Sequence, residues 1–305
     1  MTWLFIALVG PLMYALTNHI DKFLLEKYFK SSGIGSILIF SSVFSIVTLP
    51  ILYIIDPKVL HVGGIHLLVL VVSGLCNVAV LWCYLIALQY EEASVAVVFY
   101  QLVPVFAYIL GYFILGEVLT GLQIAAMFIT ILGAAIISFE IDTENHFKLR
   151  KKVIIPMLAA AFFWAIGGVL FKAVALEENV WVSFFWENFA LAIIGSLIFV
   201  FIGTYRRNFI RALKDNSKKI ISLYALNEAF YLLGNMAFSF AYMLAPIALV
   251  FLAEAFQPIF VFIIGIILTI FFPRVAVEKI QAKHLWQKII AICITFIGAY
   301  LLSIL

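Results

Sequence analysis

Charge is what this chain has least of. Asp, Glu, Lys and Arg make up 11% of its 305 residues, where an ordinary soluble domain carries about 25%. Apolar residues reach 66% and the mean hydropathy is +1.18. So little polar surface cannot cover a soluble particle, which excludes a water-soluble enzyme, a nucleic-acid binder and a disordered chain. Cysteine is scarce too. Cys76, Cys83 and Cys293 stand singly in apolar stretches, make no C-x-x-C pattern and read as buried free thiols. Catalytic signatures are missing: there is no H-E-x-x-H and no G-x-S-x-G. His61, His66, His146 and His284 fall in loops or at their edges, and His19 lies near a span end. Neither a zinc centre nor a Ser-His site is assembled, so no enzyme, metal or cofactor is expected. The chain also lacks the basic opening of a signal peptide, and Met1-Thr2-Trp3 leads into what reads as a retained span.

Long apolar runs are abundant instead. A membrane-crossing helix needs about 20 of them in succession. Ten windows qualify, at roughly 3–20, 34–55, 65–88, 93–115, 119–139, 153–173, 181–203, 220–243, 247–271 and 286–304. The runs are continuous rather than alternating, which favours helices over barrel strands. They also repeat. A shift of 154 places Ala87 on Ala241, Pro104 on Pro258, Phe106 on Phe260 and Gly111 on Gly265. A shift of 150 places Tyr14-Ala15 on Trp164-Ala165 and Lys22 on Lys172. Gly133-Ala134 falls on Gly298-Ala299 after an insertion near 273–284. The expected architecture is all-α: two five-helix repeats, 1–150 and 151–305, ten transmembrane helices around a central cavity. An odd number of spans per repeat makes the repeats inverted, an arrangement characteristic of secondary transporters with a midplane site.

Ala87, Ala93-Ser94, the run from Pro104 to Gly111 and Leu115-Gly116-Glu117 resemble the EamA pattern of the drug/metabolite transporter superfamily. The resemblance implies a ten-helix bundle with a cavity between its halves and the export or exchange of small metabolites. The second half departs from the pattern, with Thr269-Ile270-Phe271 in the place of Leu115-Gly116-Glu117.

All Lys and Arg except Lys58 and Lys172 fall on one side of the alternating loops. The positive-inside rule puts that side in the cytoplasm and both termini outside; the resemblance implies both termini inside. The expected location is a prokaryotic cytoplasmic membrane. The basic stretch Arg206–Lys214 is either an ordinary cytoplasmic loop or a contact for anionic membrane lipids.

An ionisable residue within a span costs at least about 2.5–3.5 kcal/mol, so it marks a function or a specific partner. Glu187, Glu228 and Glu254 qualify. Proline frees the carbonyl four residues before it: that of Glu254 for Pro258, and that of Tyr100 for Pro104. With Gln101 and Gln257 beside them, these residues read as a hinge with a binding surface, or as a kink whose polar neighbours satisfy the backbone. Asn227, Tyr231 and Asn235 share one helical face with Glu228 next to it. Asn77 and Tyr84 offer a weaker set. Asn18 and Trp164 belong to matched rows ending in Lys22 and Lys172, lysines that either snorkel to the interface or bind an anion. Glu187 reads as an interhelical bond. The candidate substrate site is therefore Glu254, Gln257, Tyr100, Gln101, Glu228, Tyr231, Asn235, Asn18, Asn77 and Trp164, with Pro104 and Pro258 as hinges. The expected activity is alternating-access transport of a small cationic or zwitterionic solute, with protons as a coupling partner through Glu254. A lipid flippase and a non-transporting membrane protein remain the alternatives.

Overall fold

A computed structural model describes residues 2–29, 34–91, 93–137, 139–141, 147–149, 151–272 and 282–304. In a bilayer each backbone N–H and C=O must find a partner within the protein, and the chain meets this with helices: α1 (Thr2–Lys27), α2 (Ile34–Ile55), α3 (Gly64–Leu88), α4 (Ala93–Ala96), α5 (Val103–Leu115), α6 (Gly121–Ile137), α7 (Lys151–Glu177), α8 (Val180–Phe201), α9 (Gly203–Tyr242), α10 (Ile247–Phe251), α11 (Gln257–Phe271) and α12 (Ala282–Ile304). A small antiparallel hairpin, β1 (Phe139–Ile141) and β2 (Phe147–Leu149), joins α6 to α7. Much of the insertion near 273–284, together with Lys30, His146, Arg274 and Lys279, lies outside the described residues.

Among the described residues, seven helical stretches are long and apolar enough to cross a membrane. They correspond to the first four predicted windows and to those at 153–173, 181–203 and 247–271. The other three windows are also helical but fall short of that measure. Helix α6 has 17 residues, α12 has its apolar stretch only at Ile289–Gly298, and α9 interrupts its apolar half with Asn227, Glu228 and Asn235. Phe113, Phe201 and Ile54 are more than three-quarters exposed, as befits a lipid-facing wall. Cys293 is exposed as well, contrary to the buried expectation, because α12 turns that face outward; Cys76 is buried and Cys83 half-buried.

Helix ends are closed by local chemistry. Asn179 accepts from Val182 N at 2.8 Å at the start of α8. Before α6, Thr120 and Gln123 form a reciprocal capping box: Thr120 N donates to Gln123 Oε1 at 2.7 Å and Gln123 N to Thr120 Oγ1 at 3.3 Å. Helix α5 stops at Gly116, whose φ of 68° lies in the left-handed region glycine tolerates.

The dominant packing joins helices before residue 150 to helices after it. Helix α1 packs on α9, α3 on α7, α2 on α8, α5 on α7 and α6 on α12. Small residues allow the close approaches: Gly195 lies against the Ser42 side chain and Gly35 against the Tyr205 ring, while Ser42 Oγ donates to Ala192 O at 3.0 Å. Gly133 and Gly298 are buried on the mutually packed α6 and α12. Replacing Gly195 by Val is expected to force α2 and α8 apart at about 1–3 kcal/mol, seen as a lower unfolding midpoint in detergent. Gly64→Ala, which meets open space, should leave the midpoint unchanged; an equal midpoint for both variants would refute this packing.

Candidate functional site

Helices from both sides of residue 150 enclose a cavity of about 120 Å³. Helix α1 contributes Tyr14, Thr17, Asn18 and Asp21, a row at i, i+3, i+4 and i+7. Opposite it, α9 contributes Asn227, Glu228, Tyr231 and Asn235. Ser41 comes from α2, Asn77, Val80, Leu81 and Tyr84 from α3, Trp164 from α7, Leu191 from α8 and Gln257 from α11. Tyr100 enters from the 3₁₀ turn between α4 and α5. Aromatic rings close the middle: Trp164 meets Tyr100 edge-on at 4.7 Å and Tyr14 at 5.8 Å, and Tyr14 lies 5.9 Å from Tyr231.

Polar groups along the cavity pair with one another. Tyr84 Oη donates to Asn18 Oδ1 at 2.9 Å, and Asn227 Nδ2 donates to Asp21 Oδ1 at 2.9 Å. Glu187, behind the wall, meets Ser73 Oγ, which also reaches Gly167 O at 3.0 Å. This is the interhelical bond expected of it.

Eight of the candidate residues thus line one cavity: Asn18, Asn77, Tyr100, Trp164, Glu228, Tyr231, Asn235 and Gln257. Glu254 and Gln101 stand outside its wall. Glu254 is fully buried, and neither carboxylate oxygen has a hydrogen-bond partner among the described residues. Gln101 Nε2 donates to the Glu254 carbonyl at 2.8 Å, tying the two broken segments together. The carbonyls freed by Pro104 and Pro258 also turn inward locally. Tyr100 O accepts from Val103 N and Glu254 O from Gln257 N, i+3 bonds that produce a 3₁₀ turn before each proline, at Val97–Leu102 and Leu252–Phe256. Sequence reasoning missed Thr17, Ser41 and Asp21. The row followed on α1 was 14, 18, 22, one position away from Asp21, and the adjacent Lys22 made the pair read as a span end.

Both lysines have another role than the two considered for them. Lys22 Nζ donates to Leu88 O and Glu91 O, each at 2.8 Å, and pairs with Glu26 at 3.1 Å. Lys172 Nζ donates to Ala245 O at 2.7 Å and to Glu117 Oε1 at 2.6 Å. Lys22 therefore caps the C-terminal end of α3, where orphan carbonyls favour a cation, while Lys172 holds the turn that follows α9. The second oxygen of Glu117 accepts from Ile247 N at 2.9 Å. One carboxylate thereby fastens α7, the end of α9 and the start of α10 to the turn after α5. The same end of the bundle carries Trp186 Nε1 donating to Val59 O at 2.8 Å and His66 between Glu177 and Glu178 at 3.1 and 2.7 Å. The Glu178 carboxyl is held below the usual range by its hydrogen bond with His66. Among the described residues no group of three or more His, Cys, Asp or Glu is placed to hold a metal.

Residues 1–139 match the EamA-like transporter family. No curated protein matches the chain. One solved structure, known only as the crystal structure of a protein, is 16% identical, with 96% of each chain covered and a TM-score of 0.49.

Lys172→Met is expected to strand Glu117, whose side chain is 15% exposed, and to cost about 3–5 kcal/mol. Adding Glu117→Gln, which can still accept from Ile247 N, should recover most of that loss in detergent unfolding. Strictly additive effects of the two changes would deny the contact.

Proposed function

We propose that this multi-pass membrane protein, whose residues 1–139 match the EamA-like transporter family, is a secondary transporter exporting or exchanging a small cationic or zwitterionic solute. The observation that carries the reading is the cavity: it lies between the two halves of the chain, is lined by Asp21 and Glu228, and among the described residues has no Lys, Arg or His in its wall. Ten helices act as two inverted repeats, 1–150 and 151–305. The reciprocal packing supports this, since α1 meets α9 as α7 meets α3, and α2 meets α8 across the centre. The matched 3₁₀ turns before Pro104 and Pro258 support it too.

Alternating access then consists of the two halves rocking about the cavity. The end held by Glu117 and Lys172 is shut in the conformation described, and an aromatic floor of Tyr14, Phe238, Tyr242 and Phe251 lies beneath the cavity on that side. Opening that end requires Glu117 to release Lys172 and Ile247 N. The prolines supply the flexing points, because each 3₁₀ turn lacks the i+4 bond that would stiffen it. Glu254 is the proton carrier: a carboxyl without a hydrogen-bond partner exchanges a proton when solvent or substrate reaches it. Charge bias puts the Lys- and Arg-rich face in the cytoplasm and both termini outside. A volume of about 120 Å³ lies below the roughly 300–1,000 Å³ of drug-sized pockets, and favours a small metabolite over a lipid-linked one.

Purified protein in lipid vesicles, given a panel of amines and amino acids under an imposed pH gradient, tests this. One-for-one exchange of a univalent cation with a proton accumulates it up to about tenfold per pH unit. Glu254→Gln should abolish that accumulation and leave the protein folded. Wild-type pH dependence in the variant would remove Glu254 from the mechanism, and no flux of any panel member would remove transport.

A further inference from the structure

Beyond its overall sign, the cavity has a chemically lopsided wall. Asp21 and Glu228 line it from facing helices, are 6% and 7% exposed, and act on one another electrostatically. The one cation near them in sequence, Lys22, is committed to two backbone carbonyls and Glu26. Buried polar atoms of the wall remain unsatisfied among the described residues: Asn227 Oδ1, Gln257 Oε1 and Asn18 Nδ2. The bond from Asn227 Nδ2 to Asp21 fixes which way that amide points. Two carboxylates in a wall that holds no Lys, Arg or His among the described residues call for N–H donors and give an anion no charge partner.

We infer that the cavity is a site for an organic ammonium ion without a carboxylate of its own: its N–H groups face Asp21 and Glu228, and its apolar body lies against Tyr14 and Trp164. A zwitterionic amino acid is rejected. Its carboxylate would sit beside Asp21 and Glu228, with no Lys, Arg or His of the described wall to offset them. The rings favour a cation by their quadrupoles and a carbon skeleton by contact. The inference rests on the transporter reading and narrows it to one substrate class, with Asp21 as a binding residue.

Phenethylamine and phenylalanine differ only by a carboxylate and form the test pair. Their affinities are measured by thermal stabilisation and calorimetry of the purified protein, and their fluxes in vesicles. Phenethylamine is expected to bind at least tenfold more tightly than phenylalanine. Asp21→Asn and Glu228→Gln, both near-isosteric, should each weaken the amine at least tenfold while keeping a monodisperse folded protein. Equal affinities for the pair, stabilisation by neither, or amine affinity unchanged in both variants overturns the site. The vesicle arm separates the two ideas. Amine bound through Asp21 and Glu228 but never moved keeps the site and refutes transport; amine moved with wild-type kinetics by both variants keeps transport and refutes the site.

Discussion

Inside a hydrocarbon slab a polar group has no water to turn to, and the structure of this protein follows from where each such group finds its partner. Helices absorb the backbone. The helix ends, which leave carbonyls and N–H groups over, are met by side chains: Asn179 and the Thr120–Gln123 pair at N-termini, Lys22 at the C-terminal carbonyl of α3. Where proline breaks the ladder, the lost bond is remade as an i+3 turn, and Gln101 adds a second donor to the Glu254 carbonyl. Against this pairing stand the unmet side-chain atoms. Among the described residues they fall at Asn18, Asn227 and Gln257 in the wall and at Gln101, Tyr224, Ser239 and Glu254 outside it.

Much of this was legible in the sequence, because the signals are periodic or chemically extreme. Windows of apolar residues located the helices, and the shared 154-residue offset of the two prolines marked two matched hinges or kinks, where the structure has a 3₁₀ turn before each proline. The i+4 spacing of Asn227, Tyr231 and Asn235 located one wall of the cavity. What was not legible depended on rotation and reach. Asp21 and Asn18 are three apart on the same face, but nothing in a single sequence says whether a carboxylate beside a lysine pairs with it or turns its back. Lys22 turns to the end of α3, and Asp21 turns inward to Asn227. Gln101 and Gln257 flank matched prolines and looked equivalent; one bonds to backbone and the other lines the cavity. Glu117 was read only as part of a pattern, since its partners lie far along the chain, at Lys172 and Ile247.

The Leu115-Gly116-Glu117 run gains a physical reason from these contacts. A glycine at φ 68° ends α5 without strain and turns the chain back. That reversal lets the next side chain reach across to another helix instead of continuing outward. Glu117 then meets a lysine with one oxygen and the first N–H of α10 with the other. The glycine and the glutamate are thus one device: without the left-handed turn the carboxylate would not arrive.

The corresponding device is absent from the second half, where Thr269-Ile270-Phe271 stands in its place, and this bears on how the molecule divides its time between conformations. Perfectly matched repeats would exchange roles on passing from one access state to the other, leaving the two states equal in energy. Here the locks differ. Lys172 holds a largely buried carboxylate, whereas Lys22 holds backbone carbonyls and Glu26, whose side chain is 60% exposed. Exposed pairs contribute about 0–1 kcal/mol, while parting a buried pair costs several times as much. Under the alternating access proposed above, the end closed by Glu117 is therefore the end that would resist opening. An occupant would have to overcome that bias, since a ligand shifts such an equilibrium only by the difference in its affinity for the two states.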